Sequence, residues 1–263
     1  MAKKYEAILV DVSGPVAHVK INRPEVLNAL NLQVLEELTS CVNELTSVGS
    51  CRVLVLSGAG EKAFIAGADI AQMQGLSSEQ AHEFARFGQL LTQLLEAAPF
   101  ATIAKVHGYA LGGGCELAMA CDLIIATEDS IFGQPEVNLG LIPGFGGTQR
   151  LTKRVGQSMA QAILIAGKQL KGEESLRAGL ASYVTTRENL ETQTQAVIKN
   201  ILRAGPNAIA QTKRLCQRSW DIPLEQGLSA EASTFGTILN SPEAREGMSA
   251  FIEKRKPSFS TSV

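Results

Sequence analysis

Up to about residue 195, short apolar or β-branched runs alternate with longer stretches of helical periodicity. That alternation calls for an α/β core, in which helices cover the faces of a sheet. Positions 7–12 and Val16–Ile21 flank Ser13-Gly14-Pro15, which predicts two strands joined by a hairpin turn. Positions 31–48 place Leu35, Leu38, Val42 and Leu45 at helical spacing. At 52–57, Val53-Leu54-Val55-Leu56 is the run expected of a strand buried on both faces. Ser77 and Gln80 form a capping-box pattern, and the helix it starts carries Phe84, Phe87, Leu91 and Leu94 on one face. Positions 102–106 and 123–126 are further short strands, each near a glycine-bearing loop.

Beyond that point the pattern changes. Positions 195–203, Pro206–Arg218, Leu224–Leu239 and 242–256 read as helices with no strand between them. Pro206 and Pro242 suit first-turn positions, and Ser241 is placed to cap. Lys254, Arg255 and Lys256 fall in an expected last turn, where cations suit the helix dipole, and Pro257 ends it. The organisation predicted is an α/β body over 1–195 followed by a helical segment over 196–263.

Composition excludes several classes. With 24 basic and 26 acidic residues and a net charge of -2, the chain lacks the basic footprint of a nucleic-acid binder. No apolar run approaches the roughly 18 residues of a spanning helix, and Met1 to Tyr5 leads into polar, strand-like sequence without a secretory signal. Five cysteines, none in a C-x-x-C pair, fit a reducing compartment better than a disulfide framework. His18, His82 and His107 have no metal-ligand spacing, so no metal site is expected.

Three glycine-bearing loops stand out. They are Phe64-Ile65-Ala66-Gly67-Ala68-Asp69, then His107-Gly108-Tyr109-Ala110-Leu111-Gly112-Gly113-Gly114-Cys115-Glu116, then Phe132-Gly133-Gln134-Pro135-Glu136 running on to Pro143-Gly144-Phe145-Gly146-Gly147. None is followed by the Gly-Lys-Ser/Thr of a phosphate loop, and none supplies G-x-G-x-x-G. The second follows a predicted strand and opens a helix, so its amides would face outward at the positive end of a dipole. Two readings fit: a site for developing negative charge, or glycines serving close packing.

The adjoining acids admit two readings as well. Glu116 lies at an otherwise apolar helix start, and Glu136 follows a proline between Phe132 and Val137. Each carboxylate caps backbone amides, or the two are buried together and divide acid and base roles as a coupled pair.

Taken together, the three loops resemble the enoyl-coenzyme A hydratase, or crotonase, family. Ala63 to Ile70, Gly108 to Leu117, and Phe132 to Glu136 with Gly140 to Gly144 look like its three signatures in order. The likeness runs from Asn22-Arg23-Pro24 to Glu246-Gly247-Met248-Ser249-Ala250-Phe251. The resemblance implies a spiral of ββα units with a helical C-terminal segment that builds trimers, commonly paired as hexamers. It implies hydration of a trans-2-enoyl thioester of coenzyme A, or the reverse dehydration, with no separate cofactor because coenzyme A is part of the substrate. By position, the Ala68 and Gly113 amides would form the oxyanion hole, Glu116 would activate water and Glu136 would deliver the proton. Ala66, Gly67, Asp69, Ile70, Gly112 and Gly144 would line the substrate, with the Gly144 backbone near the catalytic water. An isomerase or thioester hydrolase of the same fold is the alternative chemistry, and a binding protein without turnover the alternative class. Cytoplasm is the expected compartment, with the mitochondrial matrix after transit-peptide removal as the other option.

One departure from the family pattern is visible. Many relatives carry a lysine after the Ala-Asp-Ile stretch, near the coenzyme A phosphates, and here the residue is Ala71. Lys254 and Lys256 are substitutes on paper, although a solvated helix end explains them better. Cys115 has no histidine placed to activate it and reads as a packing thiol. Asp69 and Asp122 read as structural acids, and Trp220, Phe84 and Phe87 as core or pocket wall.

Overall fold

The computed structural model describes residues 5–259. The reading of residues 1–4 as free of a targeting signal, and the last positions of the helical segment, fall outside the described residues.

β1 (Ile8–Ser13) and β2 (Val16–Ile21) form the expected hairpin, one residue later in β1 than predicted. Gly14 makes the two-residue turn possible by adopting φ +57°. α1 (Leu32–Val48) is capped by Asn31, whose side chain accepts from the Val34 amide, and ends at Gly49 in the left-handed region. A repeating unit then begins. β3 (Val53–Gly58) runs into the short β4 (Ala63–Ile65) and on to α2 (Ile70–Met73) and α3 (Ser78–Ala97). β5 (Ala101–Val106), β6 (Tyr109–Leu111) and α4 (Gly113–Ala120) repeat the pattern. So do β7 (Leu123–Thr127), β8 (Ile131–Gly133), α5 (Gly147–Val155) and α6 (Gln157–Leu164).

Each turn adds one strand to each of two sheets. The first sheet has the order β1-β2-β3-β5-β7-β10, with β10 at Tyr183–Thr185, and is parallel from β2 onward. The second has the order β4-β6-β8-β9, with β9 at Leu170–Lys171 leading into α7 (Gly172–Arg177). This is the ββα spiral that the resemblance implied. Because β4, β6 and β8 lie side by side, the three glycine-bearing loops that follow them are brought to one place.

β3 shows why the chain needs layers on both faces. Leu54 and Leu56 enter the large core under α1, α3 and α4, while Val53 and Val55 enter a second cluster with Ile103 and Ile125. That second face is covered by α8 (Leu190–Leu202), through Leu190, Val197 and Ile198. α8 starts at Leu190, earlier than the predicted 195, because its first apolar residue already packs on the sheet.

α3 starts at the predicted capping box, with Ser77 and Gln80 each satisfying the other's amide. Its buried face is Phe84, Gly88, Leu91, Thr92 and Leu95, while Phe87 and Leu94 are half buried. α9 (Pro206–Arg218), α10 (Leu224–Leu239) and α11 (Pro242–Ile252) follow. Ser241 caps α11 as expected. Lys254, Arg255 and Lys256 are not in its last turn. Lys254 takes φ +54°, its amide reaches Phe251 O, and the Arg255 amide reaches Ala250 O, which together close the helix at Ile252. Trp220 is 62% exposed, so it is not a core residue.

Candidate active site

The loop after β4 is held by the segment that precedes α1. The Ala66 amide donates to Leu27 O, the Leu30 amide to Gly67 O, and the Asp69 amide to Leu30 O. This bridge between Leu30 and Ala68 uses the Gly67 carbonyl and the Asp69 N–H and leaves Ala68's own N–H unspent on it. Asp69 accepts from Arg23 Nη2 at 3.0 Å and caps α2 through the Gln72 amide, so it braces the loop. Ile70 is largely exposed at the start of α2.

The loop after β6 turns at Gly112 into α4. Gly112 has φ +49°, and a Cβ there would lie 2.9 Å from Glu136 Oε1 and 3.7 Å from Gly67 Cα. Gly112 is therefore where three sequence-distant loops touch. Gly113 is the first residue of α4, so its N–H has no carbonyl one turn behind it and sits at the positive end of the helix. One residue further, Gly114 lets α4 lie on β4, since a Cβ would come within 2.1 Å of Ile65 O.

Glu116 follows on the first turn of α4 and is 1% exposed. Its Oε1 accepts from the Phe145 amide at 2.8 Å and the Gly147 amide at 2.6 Å. Burial pushes its pKa up to about 7, reinforced by the Glu136 charge and opposed by the two amides and by Arg150. Glu136 opens a short 3-10 turn, Glu136–Leu139, and burial raises its pKa too. Gly144 lies in the same segment as the two amides, and its carbonyl accepts from Gln89 Nε2 at 2.9 Å.

Gln134 was not singled out by sequence reasoning, although it lies in the third motif. It is 2% exposed, and its terminal amide faces the Glu136 carboxylate. With the NH2 turned toward Glu136, it donates to both oxygens, at 2.9 and 3.1 Å. The only sequence signal was its position between a glycine and a proline, where a purely solvated amide would need no such fixed turn.

The remaining candidates fall away from this centre. Burial holds the Cys115 thiol up at about 12, which makes it inert. Asp122 accepts from Thr102 and from the buried Lys213, a structural use. His107 binds Gly60 O at 3.0 Å, and burial depresses its pKa. Phe84 packs on Phe145 with ring centroids 5.4 Å apart, behind the Glu116 amides.

Likeness to known proteins covers almost all of the chain. A family model described as enoyl-CoA hydratase/isomerase matches residues 11–262. A crotonyl-CoA hydratase of Syntrophomonas wolfei is 41% identical over 255 residues, which are 97% of this chain and 98% of that protein. A short-chain-enoyl-CoA hydratase of Clostridium acetobutylicum is 39% identical over 249 residues, 95% of each. The crystal structure of an enoyl-CoA hydratase from Bacillus anthracis matches with a TM-score of 0.93 at 33% identity, over 98% of this chain and 100% of that one. The spiral is thus the crotonase fold, and by sequence as well as architecture this chain belongs to the enoyl-CoA hydratase/isomerase family.

Proposed function

We propose that the protein is a hydro-lyase that adds water across the 2,3 double bond of a trans-2-enoyl-CoA, or removes it from the 3-hydroxyacyl product. The observation that carries this reading is the way Glu116 is held. Both loop amides engage Oε1, which leaves Oε2 to hold a water, and a pKa near 7 suits a base working at neutral pH.

In this mechanism the thioester oxygen lies between the Ala68 and Gly113 amides. Glu116 Oε2 takes a proton from water as the water oxygen bonds to C3. The alkene electrons move toward the thioester oxygen, where preorganised donors stabilise the charge; each such donor is typically worth ~10²–10³ in rate. Glu136, whose hold on a proton is strengthened by burial, delivers a proton to C2. The carboxyl pair then exchanges protons with solvent to return to its starting state. Gly67 and Gly112 keep the loops close, Ala66 and Ile70 flank the acyl group, and Gly144 sits beside the water. Every atom added comes from water, so no cofactor takes part.

The test is direct. Glu116→Gln and Glu136→Gln are each expected to lower kcat on crotonyl-CoA by at least about 10³-fold while the fold is kept, within the range that acid–base groups supply. Near-normal turnover in both variants would end this reading. Turnover of a 3-enoyl thioester in preference to crotonyl-CoA, or release of free coenzyme A from a 3-hydroxyacyl thioester, would favour the isomerase or hydrolase chemistry instead.

The reading extends to assembly and place. Self-association as a trimer or a dimer of trimers is supported by the apolar side chains that α10 and α11 leave exposed, including Leu224, Leu228, Phe235, Phe251 and Ile252. Five thiols, none in a disulfide, suit the cytoplasm or another reducing compartment. Among the described residues no helix is long and apolar enough to cross a membrane.

A further inference from the structure

Of the two amides that grip Glu116, that of Phe145 lies in a loop with no regular secondary structure and that of Gly147 opens α5, so something else must hold the approach to this helix still. Three side chains on one face of α3 do this. Gln89 Nε2 donates to Gly144 O at 2.9 Å, and Thr92 Oγ1, which donates to Gln89 O at 2.7 Å, packs 3.4 Å from Phe145 O. The third, Glu96, works through α5. Arg150 donates from Nε and Nη2 to both Glu96 oxygens, at 2.6 and 2.7 Å, and from Nη1 to Phe145 O at 2.8 Å. Glycine at 146, with φ +107°, lets the guanidinium lie flat against the loop, since a Cβ there would collide with Nη1.

We infer that Glu96 and Arg150 are positioning residues for Glu116: a planar fork ties α3 to the Phe145–Gly147 backbone and so fixes the amides that orient the base. In this reading both act through the backbone of that segment and not on the reacting atoms. The pair is largely shielded from solvent, with Arg150 at 15% and Glu96 at 31% exposure, so it is not an ordinary surface ion pair of negligible effect. A lysine at 150 keeps a cation but cannot serve two carboxylate oxygens and a carbonyl in one plane.

The groups that bear on the Glu116 proton come from several elements. Glu136 faces it from the loop after β8 and Arg150 from α5; Glu96 on α3 partly offsets Arg150, and the Cys115 thiol adjoins on α4. The two amides favour ionised Glu116, so loosening them raises its pKa even while a cation remains.

The inference rests on Glu116 being the base. Arg150→Lys is expected to lower kcat about 10- to 100-fold with KM within about threefold, the scale of a displaced catalytic group. The acidic limb of its kcat profile should move up by at least about half a pH unit. Glu96→Gln, which keeps Arg150 but removes its two-oxygen acceptor, should show the same loss of kcat with little change in KM, and serves if Arg150→Lys fails to fold. A kcat within twofold of the parent in either folded variant, or a lower kcat in Arg150→Lys with an unmoved acidic limb, overturns the inference. The Glu116→Gln variant separates the two levels. If it stays active, the base assignment has failed; if it is dead while both tether variants are normal, the tether alone has failed.

Discussion

A carboxyl with 1% exposure and two backbone donors on one oxygen has a stability signature distinct from its catalytic one. Glu116 holds its proton up to about pH 7 in the folded chain, against 4.5 for the ordinary group. The folded state therefore binds the additional proton between those values, and stability falls as pH rises from about 4.5 through about 7. A shift of that size corresponds to a loss on the order of 3 kcal/mol. Glu116→Gln keeps an oxygen for the Phe145 and Gly147 amides and removes the ionisation. Thermal denaturation of both proteins at pH 5 and pH 8 should show a smaller drop in Tm for the variant; an equal drop would mean the carboxyl titrates in its ordinary range. At this scale the sequence carried much of the site's location and little of its wiring. Glu116 and Glu136 drew notice as acids in apolar loops, but their spacing left amide capping open, and only the family resemblance paired them as acid and base. Gln134 did not, because a glutamine in a short loop reads as solvated until Glu136 is seen against it. The Arg150–Glu96 pair joins positions far apart in the chain, and no local periodicity encodes such a contact.

The elements were legible where local chemistry decides them. The capping box at Ser77, the hairpin turn at Gly14 and the doubly buried β3 all follow from residues next to one another. They were less legible where tertiary contact decides. α8 starts at Leu190 because that side chain meets the sheet, and α11 stops at Ile252 because a lysine takes the left-handed position usually given to glycine. Gly114 tests which influence dominates in α4. Helix propensity favours alanine over glycine by about 1 kcal/mol. Against that, a Cβ would sit 2.1 Å from the Ile65 carbonyl oxygen, and a backbone atom of β4 cannot move aside as a side chain could. Overpacking of this kind typically costs about 1–3 kcal/mol, so the clash should win. Gly114→Ala is expected to lower Tm and, by lifting the N-terminus of α4 from the loop after β4, to lower kcat on crotonyl-CoA. A stabilised, fully active variant would show that propensity outweighs packing here.

For the molecule as a whole, the distribution of apolar surface is uneven in a way the core does not explain. α10 buries none of its residues, although Leu224 is 78% exposed and Phe235 64%, and nearby Phe251 reaches 86% and Ile252 78%. Apolar groups on a soluble chain are normally exposed singly, whereas these are grouped on two consecutive helices. Burial against another copy would recover about 1.5–3 kcal/mol for each large side chain removed from water. α10 is anchored to the rest of the chain mainly through α9 and α11, so in the proposed assembly its outer face would be covered by another copy. Replacing Leu228 and Phe251 together by Asp puts charges where desolvation would be needed, while leaving Glu116 and its loops unchanged. Sedimentation velocity should then show a smaller species than the parent, with near-ultraviolet circular dichroism retained. If the parent itself sediments as a single 28.0 kDa chain, the assembly proposal is wrong. If the double variant keeps the parent's size, the interface lies elsewhere.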